Sequence, residues 1–518
     1  MRIRALLIAS ALAAPAVAQS PLSAIDWLDD PSPVIAPAVQ AVVPGTAEAP
    51  VSQNATAPQV AVQPIGTEQG PSSIGLLPSR VTGLPETLWE KSEVSRIKHQ
   101  FEQLDAHDIP VVQELLYTLL LAESEPPNGT DPEAFLSLRA ERLASFGVIE
   151  PAAELLSQLP LSSARQFDLY FDLTLYAGLE DKACETLNAS RSLTNDYGAY
   201  TFCAMRGGDW EQASLLFETA TALNLLEPTE KRLLKAFLDP EFAEQAPNLA
   251  PPRNITPLEF RLYEATGHAL PTAGLSLAFA VSDLRELSGW KSQLEAAERL
   301  ARVEAVSPNV LLGLYTSRKP SASGGVWERA RAVQKLDAAL AGNGNPSLND
   351  ALLAARKALS EVGLETVLAE LYVPELEGMP LTGAAAQAGF ELKLLTPAYE
   401  EAKAPQNTPR NAFLVSLAKG EPKGAAALNS AMALAIEAGF SAPLTPQPQT
   451  PESTNRLTAM LADGQLGEAI LIAMSGLVHG QSGDYTALTR AFASLRQMGL
   501  EDVSRRAALQ MLLLKRGT

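Results

Sequence analysis

The hexapeptide pattern Gly-x4-Ala recurs along this chain, and no other feature of the sequence restricts its fold as strongly. It reads Gly147-Val-Ile-Glu-Pro-Ala152, Gly178-Leu-Glu-Asp-Lys-Ala183 and Gly208-Asp-Trp-Glu-Gln-Ala213, with the glycines 31 and then 30 residues apart. Further copies are Gly420-Glu-Pro-Lys-Gly-Ala425 and Gly464-Gln-Leu-Gly-Glu-Ala469, and Gly499-Leu-Glu-Asp-Val-Ser504 is a degenerate one. Glycine ends one helix in the left-handed conformation, and a small alanine one turn into the next helix lets two antiparallel helices approach closely. Each unit is therefore a helical hairpin. A hairpin of this length cannot bury its apolar face alone, so successive copies must stack into a solenoid.

The rest of the body agrees with an all-α fold. Beyond about Leu84 apolar residues recur at three and four, and no segment shows sustained alternation. Helix starts are marked: Asp131-Pro132-Glu133 sets a cap, a first-turn proline and an acid in order, Ser163 with Gln166 fits a capping box, and Thr256-Pro257-Leu258-Glu259 combines both devices. Phe167, Tyr170, Phe171 and Thr174 form a stripe that belongs in a core. The interruptions at Pro240–Pro257, Ser317–Gly325, Gly342–Pro346 and Ala442–Thr454 suggest helical segments over 85–250, 251–345, 346–445 and 446–518. One continuous superhelix carrying inserted loops is equally compatible.

The Gly-x4-Ala turn followed by Trp210, Ala213, Phe217 and Ala220 resembles the hairpins of tetratricopeptide-repeat (TPR) proteins over Pro132–Leu225, and more weakly over 410–515. The layout also resembles exported alphaproteobacterial-type proteins, some of which carry the label "antifreeze glycopeptide polyprotein". The Ala-Ala-Thr repeats implied by that label are not found here; Ala-Thr pairs such as Ala55-Thr56 stand isolated. The resemblance implies a stack of TPR-like hairpins, concentrated in 85–250, that presents a surface to protein partners.

Residues 1–18 read as a signal peptide. Arg2 and Arg4 precede an apolar run from Ala5 to Ala14, and Ala16-Val17-Ala18 fits a small-x-small cleavage site. Residues 19–84 then form an N-terminal segment and linker, expected to be disordered: 8 of the 43 residues from Pro31 to Ser73 are proline, and only Glu48 and Glu68 are charged. Within it, Ile25, Trp27 and Leu28 sit among acids, either as leftover mature N-terminus or as a recognition motif on a tether. These features place the chain in a bacterial periplasm without a transmembrane anchor.

That compartment makes the two cysteines informative. Cys184 follows Ala183 in the second helix of one hairpin, and Cys203 precedes Gly208 in the first helix of the next. Each lies about nine or ten residues from the turn near Ser192–Asn195, so antiparallel helices rising about 1.5 Å per residue bring them to matching heights. A disulfide is expected, with two buried thiols as the alternative.

Charge and motif content narrow the function. The chain carries 40 Lys and Arg against 59 Asp and Glu, a net charge of −19, which disfavours nucleic acid and anionic membranes as partners. His99, His107, His268 and His479 make no metal-ligand spacing, and no Gly-x-Ser-x-Gly elbow or phosphate loop is present. Glu86, Glu90, Glu93, Glu400 and Glu401, the acids weighed for glycosidic chemistry, are expected in ordinary amphipathic helices. The C-terminal run Val503–Arg516 reads as a final helix with cations near its C-terminal dipole, or else as an exposed apolar face that forms a homodimer or docks a partner. No catalytic residue, cofactor or metal site is expected. The expectation is a scaffold or adaptor binding an envelope protein or peptide; the alternative is an envelope hydrolase, or its regulator, acting on peptidoglycan.

Overall fold

Each repeat glycine occupies a left-handed corner. The computed structural model describes residues 73–245, 250–321, 324–342, 347–444, 457 and 459–514, all within the unit Gln69–Thr518. The signal-peptide reading, the linker reading up to residue 72, and Ile25, Trp27 and Leu28 fall outside the described residues, whereas residues 73–84, expected within the disordered linker, are structured: Ser79–Thr82 is helical and Ile74 and Leu84 are buried against the body. Gly147, Gly178, Gly208, Gly420, Gly464 and Gly499 have φ between 73° and 81°. In every case the next residue donates its N–H to the carbonyl five positions back: Val148 to Leu143 at 3.1 Å, Leu179 to Thr174 at 2.9 Å, Asp209 to Ala204 at 3.0 Å, Glu421 to Ser416 at 3.0 Å, Gln465 to Met460 at 2.8 Å and Leu500 to Leu495 at 2.9 Å. This bond satisfies a carbonyl that the ending helix would otherwise orphan. The partner alanines Ala152, Ala183, Ala213, Ala425 and Ala469 are all buried.

The copy at Gly420 diverges after its corner. Pro422 lacks an amide donor and Gly424 has φ 94°, so the chain continues into a 3-10 turn, Ala425–Leu428, before the helix Ala431–Ser441 begins. The same corner also forms where the hexapeptide pattern is absent. Gly363 and Gly483 have the bond with Leu368 and Leu488 in the alanine's place, and Asn224 and Glu304 adopt positive φ without being glycine.

Between corners the chain runs as antiparallel neighbours. Pro132–Ser145 packs on Ile149–Leu156, which packs on Ala164–Ala177; Glu180–Ala189, Tyr197–Arg206, Trp210–Ala222 and Pro228–Leu238 follow in series. Pro257–Ala265 and Leu277–Asp283 then cross back onto the Ala164 helix. Thr256 and Glu259 form the full reciprocal capping box. Ser163 caps its helix through Gln166 N–H, but the Gln166 side chain accepts instead from Ser162 N–H at 3.2 Å, one residue earlier than a box requires. Phe167, Tyr170, Phe171 and Thr174 are all buried.

The described residues form helices and two isolated β-bridges, Ile74 with Ser124 and Leu77 with Ala122. Arg139 secures that bridged segment. Fully buried, its guanidinium donates to the carbonyls of Leu120 at 2.8 Å, Ile74 at 2.8 Å and Ala122 at 2.6 Å. Burial pushes its pKa down to about 9.

A stack of hairpins suggests two free ends, yet here the ends of the unit meet. Val94–Gln103 packs on Leu466–Gln481, and Pro110–Leu121 packs on the last helix, Glu501–Leu513. Gly467 donates its N–H to Leu88 O at 3.1 Å, and a Cβ on Gly467 would lie 2.4 Å from the Trp89 ring, so glycine permits this approach. Val111 N–H donates to the buried Gln510 Oε1 at 2.9 Å, and Arg506 pairs with Glu114 at 2.8 Å. One apolar core accordingly joins residues within 74–278 to residues within 390–511, while a second spans 290–395 and takes in Leu514. The apolar side of the C-terminal run, with Leu509, Met511 and Leu514, is buried within the chain, so it does not present the exposed dimerising face weighed from sequence. Among the described residues no helix is long and apolar enough to cross a membrane.

Candidate functional site

The helices Tyr197–Arg206, Pro228–Leu238 and Pro257–Ala265 are the elements that build a site. Their N-terminal ends line a recess of about 280 Å³, and their C-terminal ends line a groove of about 690 Å³.

The recess is acidic. Asp168 and Asp172, one turn apart on the Ala164 helix, face Asp196, Glu227, Glu230 and Glu259. Asp196 caps its helix by accepting from the N–H groups of Gly198 at 2.7 Å and Ala199 at 3.1 Å, and Glu259 belongs to the capping box. Helix N-termini favour carboxylates in these positions. No arginine or lysine lines the recess. Burial, followed by repulsion from Asp196 and Asp168, pushes Asp172 up to about 7; burial, followed by repulsion from Asp196, pushes Glu230 up to about 7 as well. Both groups change charge close to neutral pH. Glu230 Oε1 stands 1.9 Å from where a Cβ on Gly198 would sit, so a side chain at that position would displace the Glu230 carboxylate.

The groove holds paired charge and apolar surface together. Glu180, with its side chain fully buried at the start of the Glu180–Ala189 helix, accepts from Arg261 at 2.7 Å and contacts Arg206 at 3.4 Å, both through Oε1. Arg261 also reaches Glu264, which in turn binds Arg285. The outcome is an alternating ladder of Arg206, Glu180, Arg261, Glu264 and Arg285. Two of its atoms, Glu180 Oε2 and Arg261 Nε, are buried without a hydrogen-bond partner. Phe202, Phe237, Leu270 and Leu287 supply the apolar wall, and Leu287 is 90% exposed at its rim.

The cysteines link two of the helices that contribute to this groove. Cys184 and Cys203 stand at disulfide distance, with sulfurs 2.00 Å and Cα atoms 5.0 Å apart. They join the helix that carries Glu180 to the helix that carries Phe202 and Arg206. Such a link fits an oxidising compartment.

A third feature is exposed apolar surface on the neighbouring hairpin. Trp210, Leu215, Leu223 and Leu225 are each at least half exposed within sixteen residues, although Ala213, Phe217 and Ala220 of the same helix are buried.

The residues singled out from sequence are distributed otherwise. The repeat glycines and alanines form corners and helix contacts. Glu86 and Glu90 lie in the turn before Val94–Gln103 and Glu93 is its N-cap; Glu400 and Glu401 belong to the 3-10 turn Tyr399–Glu401, so these acids are not in the amphipathic helices expected for them. His99 lines a separate recess beside Glu468, His107 contacts Asp105 and Asp108, His479 approaches Ser475, and His268 Nδ1 is buried without a hydrogen-bond partner. Among the described residues no group of three His, Cys, Asp or Glu is placed to hold a metal ion. Sequence reasoning passed over the recess and the ladder because their members come from segments up to about a hundred residues apart. The one local signal is the small residue in Tyr197-Gly198-Ala199, just behind the Asp196 cap. Compared with family models, with curated proteins and with solved structures, the chain matches none.

Proposed function

We propose that this chain is an exported, periplasmic scaffold or adaptor, a TPR-like α-solenoid without enzymatic activity, that binds a protein or peptide partner of the cell envelope. The observation that carries this reading is the concentration of exposed apolar side chains at Trp210, Leu215, Leu223 and Leu225, four in sixteen residues, because apolar side chains held in water gain free energy when a partner covers them. The disulfide-distance cysteines support the compartment. Photo-crosslinking from position 215 in intact envelopes tests the reading: a discrete adduct that Trp210→Ser removes is expected. Absence of any adduct at 215, with helical content unchanged, would overturn it.

The acidic recess favours a second reading, an envelope hydrolase or its regulator acting on peptidoglycan. A carboxylic acid held protonated near neutral pH beside ionised carboxylates is what glycoside cleavage employs, and Asp172 and Glu230 both have that property. Release of soluble fragments from purified murein, abolished by Asp172→Asn, would establish this second reading over the first.

A further inference from the structure

The groove at the C-terminal helix ends has a polarity that the scaffold reading leaves unused. Glu180 is buried at the side-chain level, yet only one of its two oxygens is paired. Arg261 uses both terminal nitrogens on Glu180 and Glu264 and leaves Nε, also buried, without a partner. An orphaned acceptor and an orphaned donor on directly bonded side chains each carry a desolvation cost that a suitable ligand would relieve. A peptide group supplies the matching pair, an N–H for the carboxylate and a C=O for the guanidinium. Glu180 and Arg261 line the groove together with Phe202, Phe237, Leu270 and Leu287, and its volume is in the range of small-ligand sites.

We propose that this groove binds an extended peptide, seating one bulky aliphatic side chain against Phe237, Leu270 and Leu287 while the adjoining backbone amide meets Glu180 and Arg261. The proposal deepens the scaffold reading and rests on it. A sugar chain fits less well. Saccharides stack on exposed aromatic faces, but Phe202 is buried between Phe171 and Phe237, and Phe237 turns one face onto it, the centroids 5.6 Å apart at 22°. Arg206 is the side chain that yields on binding. Of the two arginines on Glu180 it is the more exposed and its contact is the longer, 3.4 Å, while its Nε and Nη2 are held by the exposed Asp181. The Cys184–Cys203 link holds the two helices that position Glu180 and Phe202, so the site is set before a ligand arrives.

Fluorescein-labelled nine-residue peptides, Ser/Ala-rich with Leu, Phe, Lys, Asp or Gly at the centre, are titrated against the full chain by fluorescence anisotropy, with a soluble disaccharide muropeptide as competitor. The Leu peptide is expected to saturate and to bind at least tenfold more tightly than the Gly peptide. Leu287→Asp, a change at an exposed position, is expected to weaken it tenfold or more, Arg206→Ala to leave it equal or tighter, and reduction with dithiothreitol to weaken it. Glu180→Gln is expected to weaken it too; should that variant fail to fold, Phe237→Ala replaces it. Equal binding of the Leu and Gly peptides, no effect of Leu287→Asp, or displacement by the muropeptide would each overturn the proposal. Crosslinks from position 215 are read on the same Leu287→Asp protein: if they persist while no peptide binds the wild type, the groove is refuted and the scaffold reading stands.

Discussion

Three helices meet two very different electrostatic surroundings at their two ends. At the N-terminal ends, carboxylates gather without a cation among them, and two are pushed up to about 7. At the C-terminal ends, Arg206, Arg261 and Arg285 alternate with Glu180 and Glu264. The helix dipole accounts for the sorting, since it favours anions at one end and cations at the other. It does not account for the outcome. Each dipole contributes only about 0.3–1 kcal/mol at a surface, too little to offset several carboxylates brought together. The ladder pairs each of its charges with an opposite one, whereas the recess holds unrelieved repulsion.

Breaking the ladder should have the largest effect. Arg261→Leu leaves the buried Glu180 carboxylate with only the long Arg206 contact, and a loss of about 3–5 kcal/mol in unfolding free energy by urea titration is expected. Replacing both Cys184 and Cys203 with serine should lower stability by about 3 kcal/mol and leave the acidic end unchanged.

The recess should respond in the opposite direction. A carboxylate whose folded pKa is raised binds its proton more tightly folded than unfolded, so stability falls as pH rises from about 4 through about 7 and is flat above. Acidification from pH 8 to pH 5 should therefore raise the stability. Asp172→Asn and Glu230→Gln should each stabilise the chain at pH 8 by about 1–2 kcal/mol, discounted for partial exposure, and the double variant should flatten the dependence. Thermal unfolding across that pH range checks the sign. If the variants destabilise at pH 8, the contrast between the two ends is wrong. The smallest effect belongs to Leu287→Asp, within about 0.5 kcal/mol by the same assay, which makes it a clean probe of binding.

What the sequence could disclose follows from what is local. A corner depends on residues within one turn, so Gly147, Gly178 and Gly208 were readable from spacing. The corners at Gly363 and Gly483 escaped because Leu368 and Leu488 fill the place of the alanine, and Asn224 and Glu304 escaped because they are not glycine at all. The cysteine pairing was readable as well, since hairpin geometry alone brings the two to one height. The recess was not. Asp168 and Asp172 look like a solvated face until Asp196, Glu230 and Glu259 arrive from three later helix starts. Contacts such as Val111 with Gln510, almost four hundred residues apart, leave no trace in periodicity.

That last contact belongs to the junction where Trp89 lies over Gly467 and Pro110–Leu121 lies against Glu501–Leu513. An open array can grow or shrink by duplicating or deleting a single unit at its edge, and it can unfold in pieces from that edge inward. A circuit of contacts that returns to its starting point has no edge to extend. Inserting or removing one hairpin would pull the first and last helices out of register, so this architecture tolerates drift in its side chains far more readily than change in its number of parts.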